Sequence, residues 1–129
     1  MALNNPYEQY KNTQVSTATP GQLVVMLYDG AIKFCKIAVL GIEEKNVETA
    51  SVNLIKVQNI VNELKISINK KAGGDISEAL DSLYEYMMRK LIEANIKKDI
   101  GIVKEVQHML EELREAWVEA VRQTGGKKQ

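Results

Sequence analysis

The chain has 129 residues, 45% of them hydrophobic, and its 17 basic and 17 acidic side chains cancel to a formal net charge of zero. That length suits one domain with a single core, and the balanced charge leaves no basic surplus for a phosphate backbone, which argues against nucleic acid as a partner. No apolar run approaches the roughly 20 residues of a membrane span, no secretory leader pattern opens the chain, and the single cysteine, Cys35, excludes a disulfide framework, so a small, soluble, cytoplasmic protein is expected.

The first predicted element is short. Asn5-Pro6-Tyr7-Glu8 supplies a capping residue, a proline at the first helical position and a glutamate three after the cap. The helix this starts, near Pro6 to Asn12, falls below the length that is stable alone in water. Leu3, Tyr7 and Tyr10 share one face, so docking through that face is expected. Residues 1–18 then read as a short helix and polar linker, able to act as a lid.

Thr19-Pro20-Gly21-Gln22 repeats the capping design and starts the first long helix, which runs to about Ile42. Its expected core stripe is Leu23, Leu27, Ala31, Phe34 and Ala38, and Glu43-Glu44-Lys45-Asn46 stops it. The second long helix extends to about Lys70 on Ala50, Leu54, Val57, Val61, Leu64 and Ile68, and ends at Gly73-Gly74. Asp75-Ile76-Ser77-Glu78 is a third capping pattern, with Asp75 as the cap. It opens a helix carrying Ile76, Leu80, Leu83, Met87, Leu91 and Ala94. Asn95 to Lys98 ends that helix, and Asp99 can cap the last one, which carries Val103, Val106, Leu110, Leu113, Trp117 and Val121. No segment shows sustained strand alternation. The predicted fold is all-α: an antiparallel up-down-up-down four-helix bundle over 19–122 with a short extra N-terminal helix. Residues 123–129 read as a disordered tail.

Three of the long helices carry more apolar surface than such a core needs. At about 100° per residue, Val25, Tyr28, Ile32 and Val39 form a second stripe on the first long helix, about 120° from the first, with Cys35 on its flank. Val52, Ile55 and Ile66 lie opposite the core stripe of the second, separated by Asn59 and Asn62. Tyr84, Met88 and Ile92 form the surplus face of the third. Helices apolar around most of their circumference are usually covered by something further, here either the N-terminal segment and loops or an amphipathic helical partner. Met88 would give such a partner an adaptable contact. The expected partner-binding residues are therefore Tyr7, Tyr10, Val25, Tyr28, Ile32, Ile55, Ile66, Tyr84, Met88 and Ile92.

Catalytic and metal chemistry has little support. Glu105-Val106-Gln107-His108 has the spacing of one half of a di-iron site, but such sites need two of these motifs and two further glutamates. His108 is the only histidine and falls about 160° from the core stripe, so a solvated position is expected. Cys35 has no histidine to activate it and reads as a small packed residue. Gly30 sits at the edge of the core stripe, where close helix packing is its expected role, and Trp117 reads as core. No glycine-rich phosphate loop occurs. No enzymatic activity, metal or cofactor is expected.

The N-terminal residues also carry a resemblance. "NPYEQYKNTQVSTATPGQLVVMLYDGAIKF", Asn5 to Phe34, contains in order an N-x-Y-x-x-Y, a V-x-T-A-[ST]-P and an L-Y-D-G-A-I. This resembles the signature of the flagellar secretion chaperone family FliS, and Leu113-Arg114-Glu115-Ala116-Trp117 resembles that family's last helix. The resemblance spans nearly the whole chain. It implies a cytoplasmic export chaperone that binds the disordered C-terminal segment of flagellin, blocks premature polymerisation and aids delivery to the flagellar type III export gate, without nucleotide hydrolysis. On that reading Tyr7 and Tyr10 shield a groove when no client is present, or help grip the client or the export gate. A permanent strap that completes the fold is the alternative for the N-terminal segment. For the whole chain the alternatives are a structural or adaptor bundle with no export role and, less well supported by the histidine count, a metal or redox bundle.

Overall fold

The structure is a computed structural model and describes residues 18–71 and 74–123. Within them the chain forms four α-helices, α1 (Pro20–Glu43), α2 (Val47–Lys71), α3 (Gly74–Lys97) and α4 (Ile100–Gln123). The expected short helix around Tyr7 and Tyr10 and the tail from residue 124 lie outside the described residues.

Local chemistry fixes most helix ends. At α1 the Thr19 hydroxyl accepts from the Gln22 amide at 3.2 Å, and the Gln22 side chain accepts from the Thr19 amide at 2.9 Å. This satisfies two donors that the first turn would otherwise leave unpaired. Proline follows at the first helical position, where its missing N–H costs nothing. α3 runs from Gly74 to Lys97, and the side chain of Asp75, expected as its cap, lies outside the described residues.

The α1–α2 and α3–α4 turns share one design. Lys45 and Lys98 adopt left-handed conformations, with φ of 59° and 54°. In each turn the next residue does two jobs. The Asn46 amide donates to the Gly41 carbonyl at 2.7 Å, closing α1, while its side-chain oxygen accepts from Thr49 at 3.0 Å, opening α2. The Asp99 amide donates to the Ala94 carbonyl at 3.2 Å, and its carboxylate accepts from Ile102 at 3.2 Å. One Asx residue thus serves as the C-terminal closure of one helix and the N-cap of the next.

Such short connections make neighbours antiparallel. α1 packs on α2 and α4, and α3 packs on α2 and α4, giving a square bundle. The interior is filled by Tyr28, Ala31, Cys35 and Ala38 of α1, Ala50, Leu54, Val57, Val61 and Leu64 of α2, Tyr84, Met87, Leu91 and Ala94 of α3, and Val103, Val106 and Leu110 of α4. The α2 stripe is the one expected, apart from Ile68, whose side chain lies outside the described residues, as does that of Ile76.

The α1 stripe is not the one expected. Its buried residues are Val24, Tyr28, Ala31, Ile32, Cys35, Ala38, Val39 and Gly41, whereas Leu23, Leu27 and Phe34 are half-buried. The helix is rotated relative to the sequence reading because hydrophobicity alone does not choose a face on a helix apolar on most sides. Small residues choose it. A Cβ on Gly41 would stand 2.9 Å from the Ala50 backbone nitrogen, and one on Gly30 would stand 3.3 Å from Ile60 Cδ1. These two glycines turn one flank of α1 toward α2. On the other flank Gly21 faces Val121 of α4, where a Cβ would come within 2.7 Å of Val121 Cγ2.

Candidate partner-binding surface

The ten residues expected to meet a partner fall into three groups. Tyr28, Ile32 and Tyr84 are core, which corrects the expectation that they face outward. Val25 and Met88 are half-buried, and Ile55, Ile66 and Ile92 are 48%, 44% and 48% exposed. Tyr7 and Tyr10 lie outside the described residues.

Tyr28 and Tyr84 are inside because their polar ends find partners there. Their hydroxyls share a hydrogen bond of 2.5 Å. Burial pushes the Tyr28 pKa above its ordinary value, against the opposing hydrogen bonds from Tyr84 and Trp117. Burial first, and then the bond to Tyr28, push Tyr84 upward too. By helical spacing alone each tyrosine falls on a surplus apolar face of its helix. Paired across the bundle, each satisfies the other's hydroxyl and buries its ring.

The residues that remain outside lie mostly along the α2–α3 seam. That seam is pinned near one end by Lys65, whose ammonium lies 3.5 Å from Asp81 and 3.1 Å from Glu85. Toward the other end Ser51 donates to the Asn95 side chain at 3.0 Å. The antiparallel register these bridges set brings Ile55 level with Ile92, with Met88 beside them. Ile66 lies about 16 Å further along α2 at 1.5 Å per residue. Three apolar residues not expected in the site also belong to the exposed set: Leu40 at 54%, Val47 at 62% and Ile96 at 80%. All three lie near helix ends. Ile96 sits four residues after Ile92, a helical spacing that lies within Asn95 to Lys98, the stretch whose sequence predicts the end of the element. Val52 of α2, also exposed, adjoins Ile55 on the outward face.

Reactive chemistry is not built into the described residues. The Cys35 thiol is pushed up to about 12 by burial and by the Glu111 charge, which disfavours the nucleophilic thiolate. The His108 side chain is exposed, 3.8 Å from Glu111 and 3.9 Å from Glu112. Among the described residues no group of three histidine, cysteine or acidic side chains could hold a metal ion. No described helix is long and apolar enough to cross a membrane.

Comparison with known proteins adds an identity for this arrangement. Residues 3–124 match the family described as flagellar protein FliS. The chain is 42% identical over 122 residues to the flagellar secretion chaperone FliS of Bacillus subtilis (strain 168), covering 95% of this chain and 90% of that protein. It is 38% identical over 104 residues to the protein of the same name from Salmonella typhimurium, covering 80% and 77%. The Escherichia coli (strain K12) protein of that name is 33% identical over 108 residues, covering 83% and 79%.

Proposed function

The chain belongs to the FliS family of flagellar secretion chaperones, and from that premise we propose that it is a cytoplasmic export chaperone for flagellin. In this reading it binds the C-terminal segment of the unassembled subunit, prevents premature polymerisation and aids delivery to the flagellar type III export apparatus. FliS is a chaperone family and not an enzyme family, so the work is done by a surface.

The observation that supports this reading is the exposed apolar row of Ile55, Ile92 and Ile96 along a seam whose core is already filled. Isolated exposed apolar residues are ordinary, but a contiguous row marks an interaction surface. A segment with no core of its own orders when it binds, at a cost of about 2–5 kcal/mol or more. Covering a half-exposed isoleucine contributes on the order of 1 kcal/mol. The three isoleucines together supply about 3 kcal/mol, no more than the ordering cost itself, so net binding needs the client to run further, over Met88 and on to Ile66. Val25 of α1 and the tyrosines at 7 and 10 are assigned to the same client on sequence grounds, the tyrosines as a cover that the client displaces or as part of its grip.

Mixing the protein with the C-terminal segment of its cognate flagellin tests this. Far-UV circular dichroism of the mixture should show more helix than the sum of the parts. Absence of binding at high micromolar concentration rejects the client and leaves the adaptor reading.

A further inference from the structure

A second surface lies on the opposite flank of α2, at the α1–α2 seam. Gly30 lets α1 approach Ile60 closely there, and Phe34, one turn further along α1, is half-buried. Two lysines converge on this ring. Lys33 Nζ is 5.1 Å from the ring centroid and Lys56 Nζ, from the facing helix, is 5.0 Å from it. Both lysines are exposed, and Met26 and Ile37 of α1 are half-buried.

Neither lysine has a carboxylate within ion-pair distance among the described residues, unlike Lys65, Lys90 and Lys97. The sequence offers an obvious candidate. Asp29 stands four residues before Lys33, the spacing at which an acid and a base pair on a helix. In the structure Asp29 is engaged instead by Arg114 of α4. The contact that ties α1 to α4 therefore leaves Lys33 uncommitted, with its ammonium over an aromatic ring. A cation in that position is only weakly stabilised and retains its capacity for a carboxylate.

We infer that this seam docks an amphipathic helical segment of another protein that carries carboxylates on either side of an apolar side chain, the apolar group seating against Phe34 and the carboxylates meeting Lys33 and Lys56. Charge complementarity selects this occupant. A neutral or basic segment would strip water from two ammonium groups and return nothing for it. The chain's own first 17 residues do not fit, since they hold one acid, Glu8, and one base, Lys11. The inference stands independently of the flagellin reading, because it uses neither the α2–α3 seam nor any residue assigned to the client.

The test uses the full chain, labelled with nitrogen-15, and a synthetic helical peptide in which glutamates flank one leucine at helical spacing. A control peptide carries glutamines in place of the glutamates. The glutamate peptide should shift the amides around Phe34 and Lys56, bind about tenfold more weakly to Lys33→Gln/Lys56→Gln, and weaken as salt screens the pairing. Both substitutions are on exposed side chains, so an unchanged thermal melt confirms that the loss is one of binding. Four results overturn the inference: no shift at these amides, equal binding to the double variant, equal binding of the glutamine peptide, or a concentration-dependent dimer dissolved by the double substitution, which would make the occupant a second copy of the chain.

Discussion

The hydroxyls of Tyr28 and Tyr84 meet 2.5 Å apart in the middle of the bundle, joining α1 to α3 across the diagonal of the square. Neighbouring helices also share polar bridges nearer the surface, such as Lys65 with Glu85 and Arg114 with Asp29, but this diagonal contact is buried and is satisfied only when both rings are in place. Removing one hydroxyl leaves the other reliant on what remains, for Tyr28 the Trp117 side chain. Tyr84→Phe or Tyr28→Phe should each cost about 1–3 kcal/mol of unfolding free energy, and the double variant less than the sum. Denaturant titration of the four proteins measures this, and strict additivity would show that the pair does not act as a unit.

The same residues set an alkaline limit. Both tyrosines are held in the neutral form by burial, with pKa values above the ordinary 10.0. Cys35 is likewise raised from 9.0 to about 12. A group whose folded pKa is raised contributes its full stabilisation below the unfolded value and loses it as pH climbs toward the folded value. Stability should therefore be flat in these groups through neutral pH and fall from about pH 9 upward, first through Cys35 and then through the tyrosines. Unfolding free energies measured from pH 7 to 11 should show a shallower alkaline decline for Cys35→Ala than for the parent.

Lys45 and Lys98 hold left-handed backbone conformations that favour glycine. Lys45→Gly should stabilise the protein by about 1 kcal/mol. Lys98→Gly should gain less, because the Lys98 ammonium donates to the Asn95 carbonyl at 2.6 Å and to its side chain at 2.9 Å, and those bonds at the end of α3 would be lost. Thermal melts of the two variants should rank in that order.

The close approach of α1 to α2 makes a contrast between two glycines. Gly41→Ala would drive a methyl group against backbone at Ala50, which cannot move away, and should cost about 1–3 kcal/mol. Gly30→Ala meets only the flexible end of Ile60, and the better helix propensity of alanine, worth up to about 1 kcal/mol, should offset the contact. Chemical denaturation of the two variants distinguishes these outcomes.

The proposed client seam is tested by charge. Ile55→Asp and Ile92→Asp place a carboxylate on residues already half in solvent. Each should weaken binding of the flagellin segment about tenfold or more, equivalent to roughly 1.4 kcal/mol, with the circular dichroism of the free protein unchanged. Leu54→Asp, one residue away from Ile55 but fully inside, should unfold the bundle. If Ile55→Asp also unfolds it, that face of α2 is structural.

The four long helices, their order and most of their ends were legible in the sequence because they rest on local chemistry. Thr19 with Gln22 and Asp99 with Ile102 act within four residues of themselves. The α2 stripe was legible because its polar residues leave only one continuous apolar face. α1 was not, since Leu23 and Leu27 are as apolar as Val24 and Tyr28, and the choice between them is made by contacts with α2 and α4 far away in sequence. The burial of Tyr84 depends on Tyr28, 56 residues distant, and no local pattern reports it. The left-handed lysines were hidden for a different reason, as that conformation is ordinarily signalled by glycine. Leu40, Val47 and Ile96 escaped notice because each sits at an end, where periodic patterns lose their repeats.

The meeting of Gly21 with Val121 has a consequence for how the molecule is made. It joins the first turn of α1 to the last turn of α4, so the partner for one flank of α1 is the final segment of the bundle to leave the ribosome. Until it emerges, a three-helix nascent chain displays the α4-facing side of α1 and lacks Arg114 for Asp29. The bundle therefore closes only once α4 has emerged. Bringing the two ends together also makes the fold a natural subject for circular permutation, in which a short linker would join them and a new start would be opened elsewhere.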